Sequence, residues 1–407
     1  MAFLIYGQTK CPGRENGKNT ERRQMNAEKK SLFIHSRGGR ITAAAAALIL
    51  CAVLFFFVSG KGKNKEVSAS EELFAMDTVM TVSATGKRAE EAVKASVEEI
   101  RRLDALWSVG EEDSEISRLN RHESVELSED TARLLERAVE IGSDTDGAFD
   151  ITIYPLMEAW GFTTGEYRVP SEAELEELLQ HVDVHSLDDP GSGTAGTSAE
   201  TSGRDTDGTE AGSDLRQGYT LPEDVQIDPG GIAKGYTSDR IMEIFEEYGI
   251  SGGLISLGGN VEAWHTREDG SAWRVGIRNP DPSHPALSSA ELVGVVEAED
   301  RAVITSGGYE RFFEKDGTTY HHILDPYTGR PAEGGLISVT IVSSDGCLAD
   351  GLSTALFVMG RDKALDYWKE HSGEFDAVLV EEDGSISVTS GLEEIFTSDL
   401  PFTVITS

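Results

Sequence analysis

DPGGIAKGYTSDRIMEIFEEYGISGGLISLGGN, Asp228 to Asn260, runs from a glycine-rich turn through a helix-like stretch into an alternating, strand-like one. Further alternating runs follow in WRVGI, VVEAEDRAVITSG and LISVTIVSS, each with the period of two expected of strands. A last strong helix is expected from about Cys347 to Met359. Helices and strands are interleaved without a regular βαβ rhythm. That pattern predicts an α+β architecture of mixed helices and antiparallel sheet, not a doubly wound one.

The same stretch opens the question of chemistry. Glycines before a helix let backbone N–H groups close on a phosphate at the positive helix end, and Lys234 adds a cation in the first turn. This is neither a Walker nor a Rossmann fingerprint, and an ordinary structural turn explains it equally well. Downstream, CLADGLSTALFVMG places Asp350, Ser353 and Thr354 at i, i+3 and i+4, on one helix face. One carboxylate and two hydroxyls are hard oxygen donors suited to Mg²⁺, too few for an all-protein cage. The bland alternative has Asp350 capping a turn and the hydroxyls bonding back to carbonyls one turn earlier. Between them lies YHHILDPYTGRP, where adjacent His321 and His322 point to opposite faces of a strand. His322 is a proton acceptor near neutral pH, or else a surface histidine; Asp325, Pro326 and Gly329 shape a turn. LISLGGN and TSGGYERFF bring backbone close to whatever fills the cleft, lining it without reacting.

Upstream, globular sequence is expected from Glu71. FAMDTVMTVSAT reads as a short strand alternating through Val79 and Val82. Val93, Val97, Ile100, Leu103 and Trp107 then form the core stripe of a helix, with Glu98, Glu99, Arg101 and Arg102 turned to water. A second helix is expected from the N-cap Ser128, with Glu129 and Asp130 in its first turn, to a C-cap at Gly142. Asp150 caps a third, with Pro155 in its first turn and Trp160 closing it before Gly161. Residues 186–218 are rich in Gly, Ser, Thr and Asp without apolar period, and read as a disordered acidic surface insertion.

The formal net charge of −36 argues against nucleic acid as a partner. Charge is uneven: residues 1–40 form a basic tail, and ITAAAAALILCAVLFFFVSG, Ile41 to Gly60, is an uncharged run of membrane-spanning length. With residues 61–70 as linker and 71–407 as the main domain, the positive-inside rule predicts a single-pass membrane protein whose main domain is extracytoplasmic. A cleaved signal peptide and lipidation at Cys51 are the alternatives. Cys11 and Cys347 fall on opposite sides of that membrane, so no structural disulfide is expected.

MDT (Met76 to Thr78), DSEISRLN (Asp113 to Asn120), GAFDITIYPLMEAWGF (Gly147 to Phe162), DPGGIAKGY, LGGN, TSGGYERFF, HHILDPYTG and ADGLSTALFVMG occur in order from about Met76 to at least Met359. Together they resemble the family of FAD:protein FMN transferases. The resemblance implies an FAD cleft, Mg²⁺ bridging the diphosphate to the enzyme, and transfer of FMN to a Ser or Thr of an acceptor protein with AMP leaving. The acceptor would be a redox-pump subunit or an FMN-binding domain protein. Carried over by motif, Asp350 and Thr354 are metal ligands, with Ser353 and Gly231 as backbone partners. Met76, Ala148, Phe149, Asp150, Asp228, Lys234 and Ile323 contact FAD. His322 is the candidate base, with Asp228 the alternative. In one departure, Gly110 stands where many members place a flavin-stacking aromatic, and Trp107 is three residues away. An FAD pyrophosphatase and a non-catalytic flavin-binding protein are the competing readings.

Overall fold

The computed structural model describes residues 67–187, 218–287 and 290–407. It begins with a hairpin, β1 (Val67–Ala75) and β2 (Thr78–Gly86). Met76 and Asp77 form the two-residue turn with φ of 46° and 58°, as a hairpin turn of the primed kind demands. The expected single strand over FAMDTVMTVSAT is therefore two. Val79 and Val82, three apart, face opposite sides: Val79 is 44% exposed, and the buried row is Met80, Val82 and Ala84.

α1 (Ala89–Trp107) buries the stripe Val93, Val97, Ile100, Leu103 and Trp107. Glu99 is half-buried rather than fully turned to water, paired with Arg102 and Arg240. After α2 (Glu115–Asn120), α3 (Glu129–Asp144) starts at Ser128, whose side chain accepts from Thr131 N–H. It does not end at Gly142. That glycine lies inside the helix, where a Cβ would stand 2.8 Å from Val184 and 2.9 Å from the Phe149 carbonyl, so close packing and not a C-cap accounts for it. Asp150 caps a 3₁₀ turn leading into α4 (Tyr154–Trp160), which closes at left-handed Gly161, as its sequence predicts. α5 (Glu172–Leu178) and α6 (Ala233–Tyr248) follow.

Then come β3 (Gly252–Leu257), β4 (Asn260–His265), β5 (Trp273–Arg278), β6 (Leu292–Ala298), β7 (Arg301–Gly307), β8 (Phe312–Lys315), β9 (Thr318–His321) and β10 (Leu336–Ser343). α7 (Gly346–Met359) is not the last helix: Gly360, at φ 76°, turns the chain into α8 (Arg361–Glu370), which buries Ala364, Leu365 and Trp368. β11 (Phe375–Glu381), β12 (Ile386–Thr389), β13 (Phe396–Thr397) and β14 (Thr403–Ile405) complete the chain. The main sheet has the order β1-β2-β3-β4-β7-β10-β11-β12-β14, antiparallel except for the β12–β14 pair. A three-stranded sheet, β13-β6-β5, and the β8-β9 hairpin stand apart from it.

α7 lies against the middle of the large sheet, where Ile304, Val339 and Ile341 join its core. Val303, Val342 and Val378 pack instead with Val275, Val293 and Val296 of the small sheet. β10 is thus covered on both faces, which is why LISVTIVS reads as a nearly continuous apolar run. The mixed α+β expectation is met.

Among the described residues no helix is long and apolar enough to cross a membrane. The expected tail, the span at 41–60 and most of the linker lie outside the described residues, as does 188–217 of the insertion. Val67 to Ser70, assigned to the linker by sequence, are the first residues of β1. Ser186 and Leu187 belong to a 3₁₀ turn, and Tyr219 pairs with Val125.

Candidate active site

The start of α6 meets the first turns of α7 at Gly235. A Cβ there would fall 2.2 Å from the Gly346 carbonyl and 2.6 Å from Asp350 Cβ, so glycine is needed for the helices to touch. Gly235 N–H donates to Asp350 Oδ2 at 2.8 Å, Asn260 Nδ2 donates to Oδ1 at 2.8 Å, and Lys234 Nζ stands 4.0 Å from Oδ2. Asp350 is 4% exposed. Burial pushes its carboxyl up, and Lys234 with the two donors pulls it back towards the ionised form.

Thr354 follows on the same face. A Cβ on Gly231 would come 3.7 Å from Thr354 Oγ1 and 3.1 Å from the Phe149 ring, so the bare glycine leaves a cradle between its backbone, that hydroxyl and that ring. The Ser353 hydroxyl donates to the Asp350 carbonyl at 2.8 Å and lies 2.7 Å from Ser306 Oγ. The bland reading therefore holds for Ser353's side chain and not for Asp350 or Thr354. Each Asp350 oxygen accepts one protein hydrogen bond and keeps lone pairs for more. Asp350, Thr354 and the Gly231 carbonyl are hard oxygen donors, and among the described residues no group of three His, Cys, Asp or Glu forms a metal site. That sparse set fits a hydrated Mg²⁺.

Asp228 opens the turn. Its side chain accepts from Gly230 N–H at 2.8 Å, and its own N–H donates to the Ile151 carbonyl at 2.7 Å, tying this turn to the GAFD loop. Lys234 Nζ donates to the Gly230 carbonyl at 3.1 Å. In GAFD, Ala148 and Phe149 are buried. Asp150 spends both carboxylate oxygens internally, on Thr152 N–H (2.7 Å), Thr152 Oγ1 (2.6 Å) and Val184 N–H (2.9 Å). Its side chain shapes the loop. Met76, at the tip of the first hairpin, donates its N–H to Asp104 Oδ1 at 3.1 Å, and its sulfur lies 3.9 Å from Thr237 Oγ1, one turn along α6 from Lys234.

His322 follows β9. Its N–H and its Nδ1 meet the Arg311 carbonyl at 3.0 and 3.2 Å. A carbonyl only accepts, so Nδ1 carries the proton and Nε2 the lone pair. Burial first, then the Arg311 charge, hold the imidazole down to about 3. Asp228 is pushed up by burial and pulled down by Gly230 N–H, Arg311 and Lys234. Arg311 and Lys234 thus act on both candidate bases. His321 faces the other way, edge-on to Phe357 with Nε2 3.2 Å from the Ala332 carbonyl, as adjacent strand positions require. Ile323 is buried, and its carbonyl accepts from Ala332 N–H. The turn after it forms as expected, Asp325 Oδ1 accepting from Tyr327 N–H and Gly329 taking φ 66°.

Sequence reasoning passed over Asn260, Ser306 and Arg311 as lining. Their signal was there, polar residues inside the glycine motifs LGGN and TSGGYER. Trp107 does not replace the aromatic absent at Gly110: it is core, with Nε1–H donating to Thr131 Oγ1 at 3.0 Å and its ring edge-on to Tyr236.

Residues 76–379 match the model described as the ApbE family. The chain belongs to that family. Relatives include the FAD:protein FMN transferase of Salmonella typhimurium, 31% identical over 304 residues and covering 72% of this chain and 78% of the relative. Another is that of Treponema pallidum, 30% identical over 364 residues and covering 84% and 92%. The crystal structure of the ApbE protein from Thermotoga maritima superposes with a TM-score of 0.68 at 31% identity, covering 81% of this chain and 99% of its own. As an ApbE-family member, the chain is a transferase enzyme.

Proposed function

We propose that this ApbE-family chain transfers FMN from FAD to a Ser or Thr hydroxyl of an acceptor protein, with Mg²⁺, releasing AMP. The observation that carries the reading is the meeting of Asp350 and Thr354 on α7 with Gly231 in the turn before α6 and Lys234 in its first turn. Asp350, Thr354 and the Gly231 carbonyl would hold Mg²⁺, which when bound offsets charge on the diphosphate. Lys234 would add a fixed positive charge beside the same phosphates, and Met76, Phe149 and Asp228 would contact FAD. The acceptor oxygen attacks the phosphorus of the FMN half, the bond to the AMP oxygen breaks, and the hydroxyl proton passes to His322 Nε2 or to Asp228.

Coexpression with an FMN-binding domain protein, followed by mass spectrometry of that protein, tests this. One FMN-sized adduct on a Ser or Thr is expected, and none with Asp350→Ala. AMP released equally fast without any acceptor would instead make the chain an FAD pyrophosphatase.

The acceptor is taken to be a redox-pump subunit or an FMN-binding domain protein outside the cytoplasmic membrane, with residues 41–60 as the anchor. Length, flanking charge and the absence of charge within 41–60 support that placement. Protease added to spheroplasts should digest the catalytic part; full protection would place it in the cytoplasm.

A further inference from the structure

The N-terminus of α7 is held by carboxylates that flavin transfer does not use. Asp239 of α6 accepts from Gly346 N–H at 2.7 Å and from Cys347 N–H at 2.8 Å, one with each oxygen. Asp345 accepts from Leu348 N–H at 2.7 Å and pairs with Arg137 at 2.8 Å. Glu262, reaching in from β4, is 4% exposed, and its Oε2 meets no hydrogen-bond partner.

These groups converge on Gly346. A Cβ there would stand 2.5 Å from Ser238 Oγ, 2.9 Å from Asp239 Oδ1 and 3.0 Å from Glu262 Oε2, so a half-buried carboxyl group and a buried one both close on one glycine. Two carboxylates this close, one of them cut off from water, resist ionising together. Asp239 has two backbone donors at the positive end of a helix to stabilise its charge. Glu262 Oε2 has none.

We propose that Asp239 and Glu262 are positioning residues that hold one proton between them, on Glu262, and that this proton keeps the N-terminus of α7, and with it Asp350 and Thr354, seated against α6. Asp345, which caps α7, Cys347 of α7 and Arg137 of α3 face the pair, and Asp239 also borders a cavity of about 320 Å³ whose other charged lining is Arg133, Glu136 and Glu140 of α3 and Arg240 and Glu243 of α6. The flanking strands bring Ile255 and Ala302, which carry no charge. Burial, then the charge of Asp345, pushes Asp239 up while its two backbone donors pull it back; burial, then Asp239, pushes Glu262 well above the ordinary carboxyl range. The folded state therefore binds more protons than the unfolded one. Its stability is whole at pH values near the ordinary carboxyl range and is lost as pH rises through neutrality.

Melting and FMN transfer of the full chain, measured from about pH 6 to about pH 9 for wild type, Glu262→Gln and Asp239→Asn, test this. The wild-type Tm should fall by several degrees more than that of Glu262→Gln over the range, with transfer declining in parallel. Glu262→Gln, a neutral isostere, should hold both level, and Asp239→Asn should melt lower throughout. Equal pH slopes in wild type and Glu262→Gln overturn the proposal. Should Glu262→Gln fail to fold, infrared spectroscopy of the wild type decides: a buried protonated-carboxyl band at neutral pH that fades by about pH 9 supports it, and no such band overturns it. The melting and infrared readouts do not depend on flavin transfer, so they fail separately from the proposed function.

Discussion

At His322, hydrogen bonding and burial act together. The Arg311 carbonyl fixes the proton on Nδ1 and leaves Nε2 to accept, while burial and the Arg311 charge keep the ring neutral down to about pH 3. Transfer should therefore show no loss centred on the ordinary histidine value as the pH is lowered through 6.5, and a rate profile falling with a midpoint there would contradict the assignment. Because the folded state binds fewer protons at this site than the unfolded chain, its share of stability is complete above the ordinary value and declines as pH falls below it. His322→Gln should lower kcat by about a hundredfold or more with little change in the KM for FAD, the usual scale of a lost general base. His322 was legible because two histidines precede a turn motif. The Arg311 carbonyl that orients it was not, because a backbone acceptor eleven residues away leaves no mark on side-chain spacing.

At the scale of elements, α1, α3 and α7 were legible because each buries a stripe or an entire apolar surface with a clear helical period. The first hairpin was not: Met76 and Asp77 take positive φ without the Asn-Gly signal that marks such turns, so two strands read as one. The correction matters for where the catalytic part begins. A chain starting at Glu66 should keep the fold and transfer activity, whereas one starting at Glu71 loses four residues paired with β2 and should melt several degrees lower in a calorimeter. The α6–α7 contact gives a sharper case. Gly235→Ala forces a methyl onto the Gly346 carbonyl and should cost about 3 kcal/mol, the upper end of ordinary overpacking, measurable by denaturant unfolding. A loss under about 1 kcal/mol would mean that the helices yield easily.

For the whole molecule, the net charge of −36 stands in contrast to a site where Lys234 and Arg311 act on both Asp228 and His322. The acidic balance was legible in composition; the meeting of Lys234 with Arg311 was not, since it joins the first turn of α6 to the residue before β8, far apart in the chain. The same holds for the carboxyl pair over Gly346. Asp239 sits in a helix pattern and Glu262 in a strand pattern, and only the order β3-β4-β7 carries Glu262 beneath the helices. Motif order fixed the family because its strings lie along the chain in sequence, whereas burial of charge is a property of the assembled layers. One consequence concerns heat. Gly235 leaves no room for a side chain between α6 and α7, so Lys234 on one helix and Asp350 and Thr354 on the other are carried by closely packed elements that should loosen together. Warming should silence this enzyme only as it melts it: residual activity after brief heating and the calorimetric transition should trace the same curve, with no inactive yet folded plateau between them.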